Sequence, residues 1–173
     1  LFIGDGVPLS ASDQLAAAFP AGCIDCAEGR MPEQVVKTYD KYVSKGFVGN
    51  VVIVAVGVKE PFKEGALESI GSAVGPDKQL YFVNLRMPGR WCESNNAEIA
   101  RVVNANANVH LIDWYKASAG HDEYFSGDGM HLSDTGKVAY AALVSSAVAA
   151  DVQAGMAAAS GKSASTTDVL VEG

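Results

Sequence analysis

A histidine with an aspartate three residues before it stands late in the chain, in the segment Asp128-Gly129-Met130-His131. A carboxylate at this spacing can orient the imidazole, which can then take a proton from a hydroxyl group or from water. Near the start of the chain, Gly4-Asp5-Gly6 follows a short apolar run. The later segment supplies a base and the carboxylate that orients it, but position 6 in the earlier segment offers no nucleophilic hydroxyl.

Other chemistries fit these segments less well. A dinucleotide-binding turn needs a third glycine at position 9, where Leu9 stands. The loop from His121 to His131 gathers two imidazoles and three carboxylates, but their spacing matches no known set of metal ligands. We therefore predict no metal ion and no cofactor. Taken alone, Gly4-Asp5-Gly6 would be an ordinary turn, and Asp128 with His131 a structural hydrogen bond that holds the loop.

The elements that must position these residues alternate between strands and helices. Short apolar runs predict five strands, and segments of helical periodicity between them predict a parallel sheet. The run Val51–Val56 is apolar at every position, which indicates a central strand covered on both faces. The predicted strands are Leu1–Ile3, Cys23–Cys26, Val51–Gly57, Leu80–Leu85 and Val109–Trp114. The predicted helices are Pro32 to about Gly46, Lys63–Val74, Asn95–Val103 and Ser133–Val152.

Several glycines and charged residues follow predicted strands. Parallel α/β sheets carry their sites at the carboxyl ends of the strands, near the point where the strand order reverses. Gly6, Gly57 and the loop that contains Asp128 all follow predicted strands. We therefore expect these three segments to meet at one edge of the sheet.

Length and composition predict one compact domain over residues 1–154 and an Ala/Ser-rich tail or linker over residues 155–173. The net charge of -7 leaves no basic surface for a phosphate backbone, which excludes nucleic acid as a partner.

The apolar stretch Val138–Ala150 is too short to span a bilayer, so we interpret it as a core helix.

Three cysteines leave at least one without an intrachain partner. Cys23 or Cys26 bridged to Cys92, and three free thiols, both remain open from the sequence. No pattern typical of a signal peptide opens the chain, and we expect the native N-terminus to lie upstream.

Beyond these features, the chain resembles the SGNH (GDSL) hydrolases, most closely the extracytoplasmic SGNH domain of peptidoglycan O-acetyltransferases. That domain is fused to a membrane acyltransferase. The resemblance implies a three-layer, flavodoxin-like α/β fold without a metal or cofactor, located outside the cytoplasm and acting on cell-wall glycan or small acyl esters. The similar segments are Ile24-Asp25 before Gly29-Arg30, Val51–Gly57, Val83-Asn84-Leu85-Arg86 with Trp91 and Asn96, Ile112-Asp113-Trp114, and Asp128–Gly136.

The resemblance assigns roles by position. His131 would be the general base and Asp128 its orienting carboxylate, while Gly6 stands where the family has its nucleophilic serine. The oxyanion hole would use the N–H groups of Gly6 and Gly29 and the segment after the third strand. In active relatives that segment is Gly-x-Asn, but here it is Gly57-Val58-Lys59. The Lys59 ammonium can stabilise an anion by charge.

Three functions remain open from the sequence. The first is an SGNH domain that has lost serine-esterase activity through Gly6 and Lys59 and that binds glycan or acyl groups. The second is an O-acetyltransferase or acetyl esterase that carries an inactivating change at position 6. The third is a non-catalytic interaction module. Whether the chain is an enzyme depends on which of these holds, because loss of a triad nucleophile lowers kcat by about 10⁶-fold.

Overall fold

Five parallel strands form a single sheet in the order β2-β1-β3-β4-β5. The structure is a computed structural model that describes the backbone of residues 1–168 and the side chains of residues 1–160. The predicted five-stranded parallel sheet is confirmed. The strands are β1 (Phe2–Gly4), β2 (Ile24–Cys26), β3 (Val51–Ala55), β4 (Gln79–Val83) and β5 (Val109–Ile112).

Helices cover both faces of the sheet and complete the predicted three layers. One hydrophobic cluster joins the sheet to α1, α2, α6 and α7, and a second joins it to α3, α4 and α5. A 3-10 turn, Asp122–Tyr124, precedes α7. The helices are α1 (Gly6–Leu9), α2 (Ser12–Ala18), α3 (Pro32–Ser44), α4 (Ala66–Val74), α5 (Cys92–Ala105), α6 (Trp114–Ala117) and α7 (Asp134–Asp168).

The central strand β3 shows why the layers form. Successive side chains of a strand point to opposite faces, and every residue of β3 is buried. Val51, Ile53 and Ala55 pack in the cluster that contains α7. Val52 and Val54 pack in the cluster that contains α3 and α4. The continuous apolar run was therefore a correct sign of burial on both faces.

Three of the strands, β3, β4 and β5, end earlier than the sequence predicts, whereas β1 ends one residue later. β3 ends at Ala55 and not at Gly57, because the Gly57 amide turns out of the sheet to donate to the Asp5 carboxylate. β5 ends at Ile112, because the Asp113 carboxylate accepts from the Lys116 amide and begins α6. After both β3 and β5, a carboxylate thus accepts from a backbone N–H group outside the sheet.

The last helix is longer than predicted. It was expected over Ser133–Val152, but α7 continues to Asp168, through most of the segment predicted as a tail or linker. The alanines that suggested a linker also have the highest helix propensity. Residues 169–173 of the predicted tail lie outside the described residues, and the division near residue 154 stays a prediction.

Part of α7, Asp134–Ser160, is long and apolar enough to cross a membrane by length and composition alone. A core helix meets the same criterion. Tyr140, Ala141, Val144 and Val148 of α7 are buried against the sheet, which agrees with the interpretation of its first part as a core helix.

The three cysteines are free thiols, so the bridge to Cys92 is absent.

We predict that two valines of α7 contribute unequally to stability. Val144 is fully buried, whereas Val138 is 61% exposed. Val144→Ala should lower the free energy of unfolding by about 2 kcal/mol, because buried methyl groups are lost and a cavity remains. Val138→Ala, the matched control, should change it by less than about 0.5 kcal/mol. Urea denaturation measures both, and equal effects would show that α7 packs through a different face.

Candidate functional site

The carboxylate of Asp5 lies at the carboxyl end of β1, only 2% exposed. Its Oδ1 accepts from the Val7 amide at 3.2 Å, and its Oδ2 accepts from the amides of Gly57 at 3.0 Å and Val58 at 3.3 Å. These bonds cap α1 and join the ends of β1 and β3, between which the strand order reverses. Burial raises the pKa of Asp5 to about 6, although the backbone hydrogen bonds oppose the rise.

Gly6 is the first residue of α1 and is buried beside the Asp5 turn. A Cβ atom built on Gly6 would lie 2.7 Å from both the carboxyl carbon and Oε1 of Glu28. The space that a serine side chain would enter is therefore occupied by the end of the Glu28 side chain. Sequence reasoning missed Glu28, because nothing in its local pattern shows that its side chain returns to position 6.

Hydrogen bonds from Arg30 anchor the loop that carries Glu28. The Arg30 guanidinium donates to the Gly4 carbonyl at 3.2 Å, and it pairs with the Asp25 carboxylate at 2.5 Å. Gly29 has a φ of +63°, in the left-handed region that favours glycine. A Cβ on Gly29 would lie 3.7 Å from Lys59 Nζ, so two of the predicted oxyanion residues are neighbours.

The loop after β3 has a backbone that only glycine adopts easily. Gly57 has a φ of +128°, and a Cβ there would lie 2.6 Å from the Phe62 ring. The buried Asn95 amide donates to the carbonyls of Gly57 at 2.9 Å and Glu60 at 3.1 Å, and its oxygen accepts from the Phe62 amide. Asn95 thus fixes the loop that presents Lys59. A polar residue on the buried face of a helix was the only sequence signal for it.

Asp128 and His131 are in direct contact. His131 Nδ1 lies 2.5 Å from Asp128 Oδ2, and Asp128 Oδ1 accepts from the amides of Met130 and His131 at 3.0 Å. The hydrogen bond to His131 is the largest of the causes that hold the pKa of Asp128 well below its ordinary value. The His131 side chain is 39% exposed, and the Asp128 side chain is 47% exposed. Because His131 Nδ1 is hydrogen-bonded to Asp128, Nε2 is the ring nitrogen that can exchange a proton with a bound molecule.

The residues on either side of His131 pack in one of the two hydrophobic clusters. Leu132 forms an isolated antiparallel bridge with Phe125. Met130 and Leu132 pack in the hydrophobic cluster that also contains Val7 of α1. The loop of the Asp128–His131 pair is thus packed in the same layer as the segment that carries Gly6.

A small cleft with a volume of about 20 Å³ lies over the ends of β1, β3 and β4. Arg86 is one of its lining residues, with its guanidinium 5.5 Å from the Tyr115 ring and 5.8 Å from the Phe125 ring. Asn84 donates to Asp113 and accepts from the Tyr115 amide, which joins the ends of β4 and β5. The cleft is lined in part by Asp5, Val58, Asn84, Arg86, Trp114 and Tyr140.

The serines nearest to position 6 along the chain do not replace its missing hydroxyl. Ser10 Oγ donates to the Val7 carbonyl and Ser12 Oγ to the Leu9 carbonyl, both at 2.7 Å. Within the described part of the chain, no group of three or more His, Cys, Asp or Glu side chains is arranged to hold a metal ion. The Asp128–His131 pair thus offers an oriented imidazole, and the turn at Gly6 offers backbone amides beside the carboxylate of Glu28.

No protein-family model matches the chain. It is 34% identical to the peptidoglycan O-acetyltransferase OatA of Listeria monocytogenes over 145 residues, which are 83% of this chain and 23% of that protein. It is also 34% identical over 148 residues to the O-acetyltransferase OatA of Staphylococcus aureus, with 83% and 24% covered. The chain thus spans about a quarter of the length of the curated relatives that it matches.

A solved structure has the same fold. The C-terminal catalytic domain of Streptococcus pneumoniae peptidoglycan O-acetyltransferase A superposes with a TM-score of 0.77 at 20% identity, over 86% of this chain and 91% of that one. The sheet order, the three layers and this superposition agree with one another, and they confirm the fold that the sequence predicts.

We predict that Asp5 makes stability fall as the pH rises from about 4 to 7. Its pKa is about 6 in the folded state against an ordinary 3.8. The folded state therefore keeps a proton that the unfolded state has lost. The free energy of unfolding should decline by roughly 3 kcal/mol across this range. Asp5→Asn cannot ionise, so it should remove the decline.

Urea denaturation between pH 4 and 7.5 tests this prediction as the difference between wild type and variant, because other carboxylates add slopes of their own. Asp13→Asn, a change at an exposed position of α2, is the matched control and should keep the decline. A wild-type-minus-variant difference that does not change with pH would contradict the buried, proton-retaining state of Asp5.

Proposed function

The chain belongs to the SGNH hydrolases and is related to the OatA peptidoglycan O-acetyltransferases, and from this premise we propose a function in the bacterial cell wall. It acts outside the cytoplasm as a domain that binds cell-wall glycan or acyl groups without a serine-esterase mechanism. In the whole protein, it is joined to a membrane acyltransferase domain. The greater length of the curated relatives supports this architecture.

The single observation that carries the proposal is the state of position 6. Gly6 has no side-chain oxygen, and the Glu28 carboxylate fills the adjacent space. An acyl-enzyme therefore cannot form there, and the serines that follow, Ser10 after α1 and Ser12 at the start of α2, donate to backbone carbonyls. A triad without its nucleophile retains about one part in 10⁶ of its kcat.

The rest of the site supports binding. The cleft has polar groups that are held in place, such as the Asn84 amide and the Arg86 guanidinium. Beside it, Tyr115 is half exposed, and its ring offers an apolar face of the kind that packs against a sugar ring.

A second candidate function is an O-acetyltransferase or acetyl esterase that carries an inactivating change at position 6. The hydrogen-bonded Asp128–His131 pair favours it, because a binding site alone does not need an oriented base. The two candidates differ in what the restoration of a hydroxyl at position 6 would do.

We predict that the protein has no serine-esterase activity. Hydrolysis of p-nitrophenyl acetate should equal the buffer background, and a fluorophosphonate probe should leave the protein unlabelled, because position 6 has no hydroxyl and the Ser126 hydroxyl beside the Asp128–His131 pair is hydrogen-bonded to the Asp128 carboxylate at 2.9 Å. Mass spectrometry of the intact protein measures the labelling. Stoichiometric labelling at another serine, accompanied by turnover, would refute the prediction.

We predict that rescue of activity requires more than a hydroxyl. Gly6→Ser should give a small gain in acetyl-ester hydrolysis, because the new side chain shares its space with the Glu28 carboxylate. Gly6→Ser with Glu28→Ala should give more, because that carboxylate is gone. The further change Lys59→Asn should add about 10² to 10³-fold, the usual contribution of an oxyanion donor. Lys59→Asn and Glu28→Ala alone, as controls, should give nothing.

Steady-state hydrolysis of p-nitrophenyl acetate, with melting temperatures as a check on folding, measures the rescue. A folded triple variant that stays silent would eliminate the second candidate, because the cleft would then differ from an active site beyond these three positions.

A further inference from the structure

We propose that Glu28 makes this site selective for a free sugar hydroxyl over an acetyl ester. The inference rests on the proposed glycan-binding function and adds to it the chemical form of glycan that the site accepts. It starts from the carboxylate that stands where a serine hydrolase has its nucleophile. All three atoms nearest to a Cβ built on Gly6 belong to that carboxyl group.

The chemistry of a carboxylate decides what can bind against it. An ionised carboxylate only accepts hydrogen bonds, and a sugar hydroxyl donates one. Such charge-assisted bonds are roughly twice as strong as those between neutral groups. An acetyl ester has no donor, and its carbonyl oxygen would face a negative charge. Replacement of a serine hydroxyl by this carboxylate therefore favours the unacetylated glycan.

The carboxylate is available for a ligand, and the loop that carries it is anchored near position 6. Across residues 1–160, whose side chains are described, Glu28 forms no ion pair. Its loop is anchored through the hydrogen bond from Arg30 to the Gly4 carbonyl. The charge of Glu28 also contributes to the raised pKa of Asp5, after burial as the main cause, so it lies within electrostatic range of the Asp5 turn.

Gly6 is a part of this arrangement. A side chain at position 6 would collide with the Glu28 carboxyl group unless that group moved away. The lack of a Cβ at position 6 therefore leaves room for the acceptor. Gly6→Ala should displace the carboxylate without removing it, which gives a second way to test its placement.

The experiment compares two probes that differ in acetylation. One is a β-1,4-linked tetramer of N-acetylglucosamine, and the other is the same tetramer after chemical O-acetylation. Isothermal titration calorimetry at pH 7 gives the Kd of each for the wild type, Glu28→Gln and Gly6→Ala. Because Glu28 is exposed, Glu28→Gln should melt at the wild-type temperature.

The wild type should bind the free-hydroxyl tetramer about tenfold more tightly than the acetylated one, the difference expected for one hydrogen bond to a charged group. Both variants should reduce this preference to less than about threefold. A wild type that binds both probes equally, with no change in Glu28→Gln, would overturn the role of Glu28 and leave glycan binding intact. A wild type that binds neither probe would instead overturn the proposed glycan binding, and this inference with it.

Discussion

The arrangement of the site depends on one buried carboxylate. Asp5 accepts hydrogen bonds from backbone N–H groups at the start of α1 and in the loop after β3. Because the strands are parallel, their carboxyl ends meet at one edge, but the loops that follow them still need a common anchor. Asp5 supplies this anchor at the β1–β3 crevice, where the strand order reverses. The positions of Gly6 and Gly57 follow from these bonds.

Much of the fold could be predicted because its signals are local. The apolar run of β3 showed burial on both faces, and the alternation of runs showed a parallel sheet. The short helix α6 was missed, because four residues do not reveal a helical period. The extension of α7 was missed for another reason, since an alanine-rich composition is typical of both linkers and helices.

The site was predictable only where the chain pattern itself carries the chemistry. Asp128 and His131 stand three residues apart, so their contact could be expected from the sequence. Glu28 could not be found in this way, because its side chain meets Gly6 through the fold and not through sequence proximity. Asn95 was missed because its role, to hold the carbonyl of Gly57, is visible only when α5 and β3 are packed together.

The glycine at position 6 and the nearby Glu28 carboxylate depend on each other sterically. Glycine at position 6 supplies no nucleophilic hydroxyl and also leaves the space that the Glu28 carboxylate occupies. A carboxylate rather than a hydroxyl thus lies at position 6, beside the turn that already contains Asp5. In this account, the scaffold of a hydrolase is kept while the group that would meet an ester becomes one that accepts a hydroxyl.

The placement of the Glu28 carboxylate against position 6 is the central claim, and a cysteine at that position would test it most directly. The measurement is the pH profile of iodoacetamide alkylation of Gly6→Cys, with and without Glu28→Gln, followed by mass spectrometry of the peptide that contains residue 6. A neighbouring negative charge raises the pKa of a thiol, so Glu28→Gln should lower that pKa by roughly half a unit to one unit. Superimposable profiles for the two proteins would show that the carboxylate lies elsewhere and would contradict the account.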